Sequence, residues 1–113
     1  MRPAPILALT LALTLPATAP AASFDCALTT LAPDEQVICR YRDLNDMDVE
    51  MATMFRMLTG LFGMGMRGAI QDDQSAWLET RRTCGTDDAC LRRAYRSRID
   101  ALQAIYDGID RPI

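Results

Sequence analysis

Apolar residues recur along this chain at intervals of three and four. Ile38, Tyr41, Leu44, Met47, Met51, Met54, Phe55 and Leu58 fall on one side of a helical wheel. Pro33-Asp34-Glu35 reads as the first turn of that helix, with proline where its missing N–H costs nothing and acids near the positive end of the dipole. Asp43, Asp46, Asp48 and Glu50 fall mostly off the stripe, and Gly60 marks the expected end. The segment Gly60 to Gly68 holds four glycines, which predicts an irregular connection with at most a helical portion. A second helix is expected from about Ala69 to Thr83, with Ile70, Trp77 and Leu78 as its apolar contacts. Cys84-Gly85 ends it, and Thr86 is the expected cap of a third helix, with Asp87 and Asp88 in its first turn. The stripe of the third helix is Leu91, Ala94, Tyr95, Ile99, Leu102, Ile105, Tyr106 and Ile109, with Arg92, Arg93 and Arg96 on the exposed side. No alternating strand pattern appears. The expectation is an all-α fold, a small three-helix arrangement in which the second and third helices form a hairpin.

The N-terminal pattern is different. Arg2 is the only charge before Asp25; an apolar run from Ile6 to Leu15 follows it, and the small residues Ala19-Pro20-Ala21-Ala22 come after. This is the pattern of a secretory signal peptide, cut after Ala21. The apolar run is well short of the ~20 residues a membrane span needs. Phe24-Asp25 before Cys26 does not fit a lipid-attachment signal. Residues 1–21 are therefore read as a cleaved leader and 22–113 as a single small domain, destined for the periplasm or the medium.

A domain this small is only marginally stabilised by its core, so staples are expected. Cys26, Cys39, Cys84 and Cys90 make an even set on an exported chain. Three pairings are formally possible. The local one, Cys26–Cys39 with Cys84–Cys90, is favoured; it pins the N-terminal segment to the first helix and clamps the hairpin turn.

Charge and residue types exclude several functions. The chain has no histidine and no lysine, so a Ser-His or Cys-His pair is absent and the cysteine spacings do not suit zinc. The exported part carries eleven arginines against fifteen acids, which disfavours nucleic acid and suits a basic partner. Paired acids at Asp34-Glu35, Asp72-Asp73 and Asp87-Asp88 read as helix-start or solvated positions. Neither enzyme activity nor a cofactor is expected. Met47, Met51, Met54 and Met57 share a helix face, with Met64 and Met66 beyond. An adaptable apolar face is the favoured reading. A Cu(I) site built from thioethers is the alternative, and a contact surface for variable partners lies between the two.

Several residues together resemble a known family. They are Phe24-Asp25-Cys26, then Glu35, Ile38-Cys39, Leu44 and Met47-Asp48. A stronger group follows: Gln74, Trp77-Leu78, Arg81 and Cys84, then Cys90-Leu91, Tyr95, Arg98-Ile99 and Leu102. In order and cysteine spacing these resemble the LprI-type lysozyme-inhibitor domains of exported bacterial proteins. The glycine- and methionine-rich segment departs from the alanine- and charge-rich helix usual there. The resemblance implies binding and inhibition of a lysozyme or related muramidase. An envelope interaction module without inhibitory role is a further alternative. Trp77, Leu78, Arg81, Tyr95 and Arg98 are the motif residues of interest. Trp77 is expected at the centre of the core with Arg81 laid over it, rather than as an exposed anchor. Arg81, Tyr95 and Arg98 are expected in an internal polar network, where Arg98 needs a carboxylate or carbonyl partner. Asp43, Asp46, Asp48 and Glu50 are the candidates for steering a basic partner. The Gly60–Gly68 segment and the Cys84–Cys90 clamp are the candidates for entering its cleft.

Overall fold

The computed structural model describes residues 22–110, together with Met1 and Pro3. The remainder of the expected leader lies outside the described residues. The described residues form four helices: α1 (Pro33–Arg40), α2 (Arg42–Leu61), α3 (Met64–Thr83) and α4 (Asp88–Asp107). The described residues contain no strand. The all-α expectation holds, as do both local disulfides, Cys26–Cys39 and Cys84–Cys90.

The expected first helix is two helices. At Tyr41 the backbone is extended, with φ −101° and ψ 119°. The break turns α1 across the bundle, so that it packs on α2, α3 and α4 together. Glu35 supports its start by accepting the Ala32 N–H at 3.0 Å, the carboxylate half of a capping box. The Cys26–Cys39 bridge ties the segment before α1 to its last turn.

The irregular connection expected at Gly60–Gly68 shrinks to Phe62 and Gly63, because α3 already begins at Met64. Arg67 explains much of this. Its guanidinium donates to the carbonyls of Thr59 at 2.8 Å and Phe62 at 3.0 Å. These are acceptors at and just past the end of α2, which a terminating helix otherwise leaves to water. One arginine in the first turn of α3 therefore closes the preceding helix and fixes the turn.

At the other end of α3, Gly85 adopts φ +56°, a left-handed conformation that glycine takes without strain. The cap of α4 is Asp87 rather than Thr86: its Oδ1 accepts the Cys90 N–H at 3.1 Å. Thr86 lies one residue too early to reach the free N–H groups of that helix.

α2 and α4 run parallel, and α3 returns between their ends, antiparallel to both. Asp43 meets Arg92 near the starts of α2 and α4, while Leu58 and Leu61 line a groove with Tyr106 near their ends. One core joins all four helices, drawing on Val37 and Ile38, Leu44, Met51 and Leu58, Ile70 and Trp77, and Leu91, Tyr95 and Leu102. Among the described residues no helix is long and apolar enough to cross a membrane.

Candidate functional site

The interior carries charge. Asp34, Asp48, Arg81 and Tyr95, one from each helix, are all buried. Arg81 Nε donates to Asp34 Oδ2 at 2.8 Å, and its Nη1 lies 3.5 Å from the Tyr95 hydroxyl. That hydroxyl donates to Asp48 Oδ1 at 2.8 Å. Arg81 Nη1 also lies 3.8 Å from Asp48 Oδ1. The other oxygen of Asp48 accepts the backbone N–H of Ser23 at 2.6 Å. Each helix thus contributes a group whose burial is tolerable only in the presence of the others.

Burial pushes the Tyr95 phenol well above its ordinary value; the Asp48 carboxylate adds to this and Arg81 opposes it. Burial lowers the Arg81 pKa, but the Tyr95 oxygen and Asp34 carboxylate outweigh it and hold the guanidinium above its usual value.

A second polar chain crosses the core beside the first. Arg98 Nε donates to Gln74 Oε1 at 2.9 Å, and Gln74 Nε2 reaches the Met51 sulfur at 3.0 Å. The expected carbonyl partner of Arg98 is therefore a side-chain amide. Burial lowers the Arg98 pKa, with Asp73 acting in the opposite direction.

Trp77 lies in the core, 9 % exposed. Its indole N–H donates to the Ala94 carbonyl at 3.0 Å, and its ring meets Tyr95 edge-on at 5.0 Å. Arg81 does not cover it. The guanidinium stacks instead on Phe24, 5.6 Å from the ring centroid, so the N-terminal segment takes the place expected of the indole. Leu78 packs against the core from its edge.

The steering set needs correction. Asp48 is 0 % exposed and belongs to the interior network, so it presents no charge to a partner. Asp43 is exposed but held by Arg92, with Nε to Oδ2 at 2.6 Å, and Arg92 also pairs with Asp88. Hydrogen bonds from Arg92 hold both carboxyls below their ordinary values. Asp46 and Glu50 remain exposed. They share one outward face of α2 with Thr53, Met57 and Leu61, at helical spacings of four, three, four and four. This face is acidic near the middle of the helix and apolar at its end.

The apolar end is extensive. Met57 is 63 % exposed, Leu61 62 % and, across the turn, Met64 88 %. Met54, Met57, Leu58, Leu61, Gln103 and Tyr106 line a groove of about 250 Å³ between α2 and α4. The methionines therefore divide. Met51 is buried, Met47 and Met54 pack against the core, and Met57, Met64 and Met66 are exposed. Among the described residues no group of three or more His, Cys, Asp or Glu side chains could hold a metal ion.

Asp34, Asp48 and Gln74 are the interior residues that sequence reasoning did not single out as core partners. A signal existed. Asp48 stands between Leu44 and Met51 at steps of four and three, and Gln74 and Arg81 flank Trp77 in the same way. A polar residue in register with an apolar stripe is a buried group needing a partner. No protein-family model, curated protein or solved structure matches the chain.

Proposed function

We propose that this protein is an exported, non-enzymatic binding protein that obstructs a lysozyme or related cell-wall muramidase. The observation that carries the reading is the outward face of α2, acidic at Asp46 and Glu50 and apolar at Met57 and Leu61. Monomeric proteins rarely expose a cluster of large apolar side chains without a use for it. Methionine-rich patches in particular adapt to the shape of a partner. A basic muramidase would be drawn by the acids and seated by the apolar end. The resemblance to LprI-type domains supplies the specific partner. Gln74, Trp77, Arg81, Tyr95, Arg98 and the four cysteines, which carry that resemblance, serve here as the frame that holds α2 in place. Two disulfides suit an oxidising compartment outside the cytoplasm, periplasmic or extracellular.

The test is a titration of the oxidised protein into basic lysozymes, reading cell-wall lysis and direct binding together. Saturable inhibition is expected. Asp46→Asn with Glu50→Gln should slow association and flatten its salt dependence, because exposed charges act mainly on the encounter. Met57→Glu with Leu61→Glu should weaken binding at least tenfold through faster dissociation. Absence of binding to any lysozyme at low salt would overturn the proposal.

A further inference from the structure

The buried network does not balance. Two carboxylates, Asp34 and Asp48, face one guanidinium, Arg81, and the neutral phenol of Tyr95. Asp34 takes the short bond from Arg81 Nε, whereas Asp48 has Arg81 only at 3.8 Å. The closest donor to Asp48 is a backbone nitrogen, that of Ser23, at 2.6 Å from Oδ2. Ser23 itself is exposed, so this nitrogen links the buried carboxylate to the surface of the molecule.

That nitrogen has a particular place in the sequence. The expected leader ends at Ala21, so Ala22 is the expected first residue, one before Ser23. We propose that leader removal supplies the missing cation of this network: the new α-ammonium, on Ala22 or Ser23, pairs with buried Asp48. This rests on the reading of residues 1–21 as a cleaved leader and is independent of the partner proposed above.

Cleavage adds water across one peptide bond. The hydroxyl goes to the upstream alanine carbonyl carbon, and the downstream nitrogen gains the proton and then one more from solvent at neutral pH. If Ser23 is the first residue, its ammonium occupies the 2.6 Å position directly. If Ala22 is first, its nitrogen lies one residue further, and the chain rises at most about 3.6 Å per residue. The charge then sits within about 6 Å of Oδ2, still close enough for an opposite charge to be felt. The groups facing Asp48 are Arg81 from α3, Tyr95 from α4 and, beyond Arg81, Asp34 from α1. Two carboxylates against one fixed cation favour the charged amine. In the precursor the same place holds an uncharged amide, so the folded state gains an ion pair only after processing.

The chain has no lysine, so amine reagents report the α-amine alone. The protein is expressed with its leader and purified from the export compartment, and its intact mass identifies the first residue. The expected start is Ala22; a start at Ser23 is equally compatible with the pairing. The α-amine should titrate at least one unit above the ordinary range of roughly 7.7–8.0. Asp48→Asn should return it to that range, while Asp46→Asn, exposed on the same helix, should leave it raised. Should Asp48→Asn fail to fold, the wild-type amine is modified instead. Acetylation removes the charge and should lower the denaturation midpoint; reductive dimethylation keeps it and should not. An ordinary amine pKa in the wild type, equal midpoints after both modifications, or a mature chain starting elsewhere would each overturn the proposal.

Discussion

Arg81 and Arg82 are neighbours on one helix, both paired with a carboxylate, and they differ in burial. Arg81 and Asp34 are 6 % and 2 % exposed at their side chains, whereas Arg82 and Glu79 are 58 % and 70 % exposed. Replacing Arg81 by methionine keeps most of the stem but leaves Asp34 and Asp48 buried without a guanidinium. It also removes the stacking on Phe24. Breaking a buried pair from one side costs about 3–5 kcal/mol. The same change at Arg82 removes an exposed pair worth at most about 1 kcal/mol. A domain of this size has about 5–14 kcal/mol in total, so Arg81→Met should take away a large part of it. With a urea slope of about 1–1.5 kcal/mol/M, the midpoint should fall by about 2–5 M. The assay is urea unfolding of the oxidised protein, followed through Trp77, whose ring touches Tyr95 and so reports the network. An Arg81→Met variant no less stable than Arg82→Met would refute the idea that this network holds the four helices together.

Three further outcomes follow from the same structure. Removing Cys26–Cys39, which spans 13 residues, should cost about 3 kcal/mol by loop entropy, and removing Cys84–Cys90, which spans 6, about 2 kcal/mol; paired serine variants in thermal unfolding check the order. Because burial first and Asp48 second raise the Tyr95 pKa, the folded protein holds that proton more tightly than the unfolded chain. The resulting stability is complete below about pH 10, where free tyrosine titrates, and is lost as pH rises beyond it; denaturation midpoints measured from pH 8 to 11.5 should fall only in the upper part, and less so in Tyr95→Phe. Gly65 and Gly68 lie inside α3 with open space where a Cβ would point; Gly65→Ala with Gly68→Ala should therefore stabilise the protein by roughly 1–2 kcal/mol, and an unchanged or lowered melting temperature would show that this part of α3 is not helical in solution.

The helices were legible where apolar spacing was regular. Leu91, Tyr95 and Leu102 sit in the core as their steps require, and the Cys84-Gly85 stop falls where the glycine φ demands it. The break at Tyr41 was not legible, since Arg40-Tyr41-Arg42 holds neither glycine nor proline. Its reason is tertiary: a straight continuation would carry Asp34 away from Arg81, whereas the turned α1 brings them to 2.8 Å. The glycine-rich segment misled in the opposite direction. Local propensity counts glycine against a helix, but it does not see Arg67 closing the carbonyl end of α2 from the next helix.

The burial of Asp48 and Arg81 bears on where function can reside. The sequence presents Asp48 as a steering charge, and Arg81 both as a cover for Trp77 and as a member of an internal polar network with Tyr95; the network is what the structure holds. Both are consumed by the interior, and Asp43 is consumed by Arg92. The most recognisable residues of the chain are therefore those least able to touch a partner. They specify how α1, α3 and α4 hold α2, and they would be expected in any protein that shares the frame, whatever it binds. The exposed face of α2 and the Met64 turn are under no such constraint: Asp46, Glu50, Met57 and Leu61 contribute little to the core and are free to match a target. A frame held from inside in this way can thus carry a partner surface that varies independently of it. Substitutions on that face should change binding while leaving the unfolding midpoint nearly fixed, and substitutions in the frame should do the reverse.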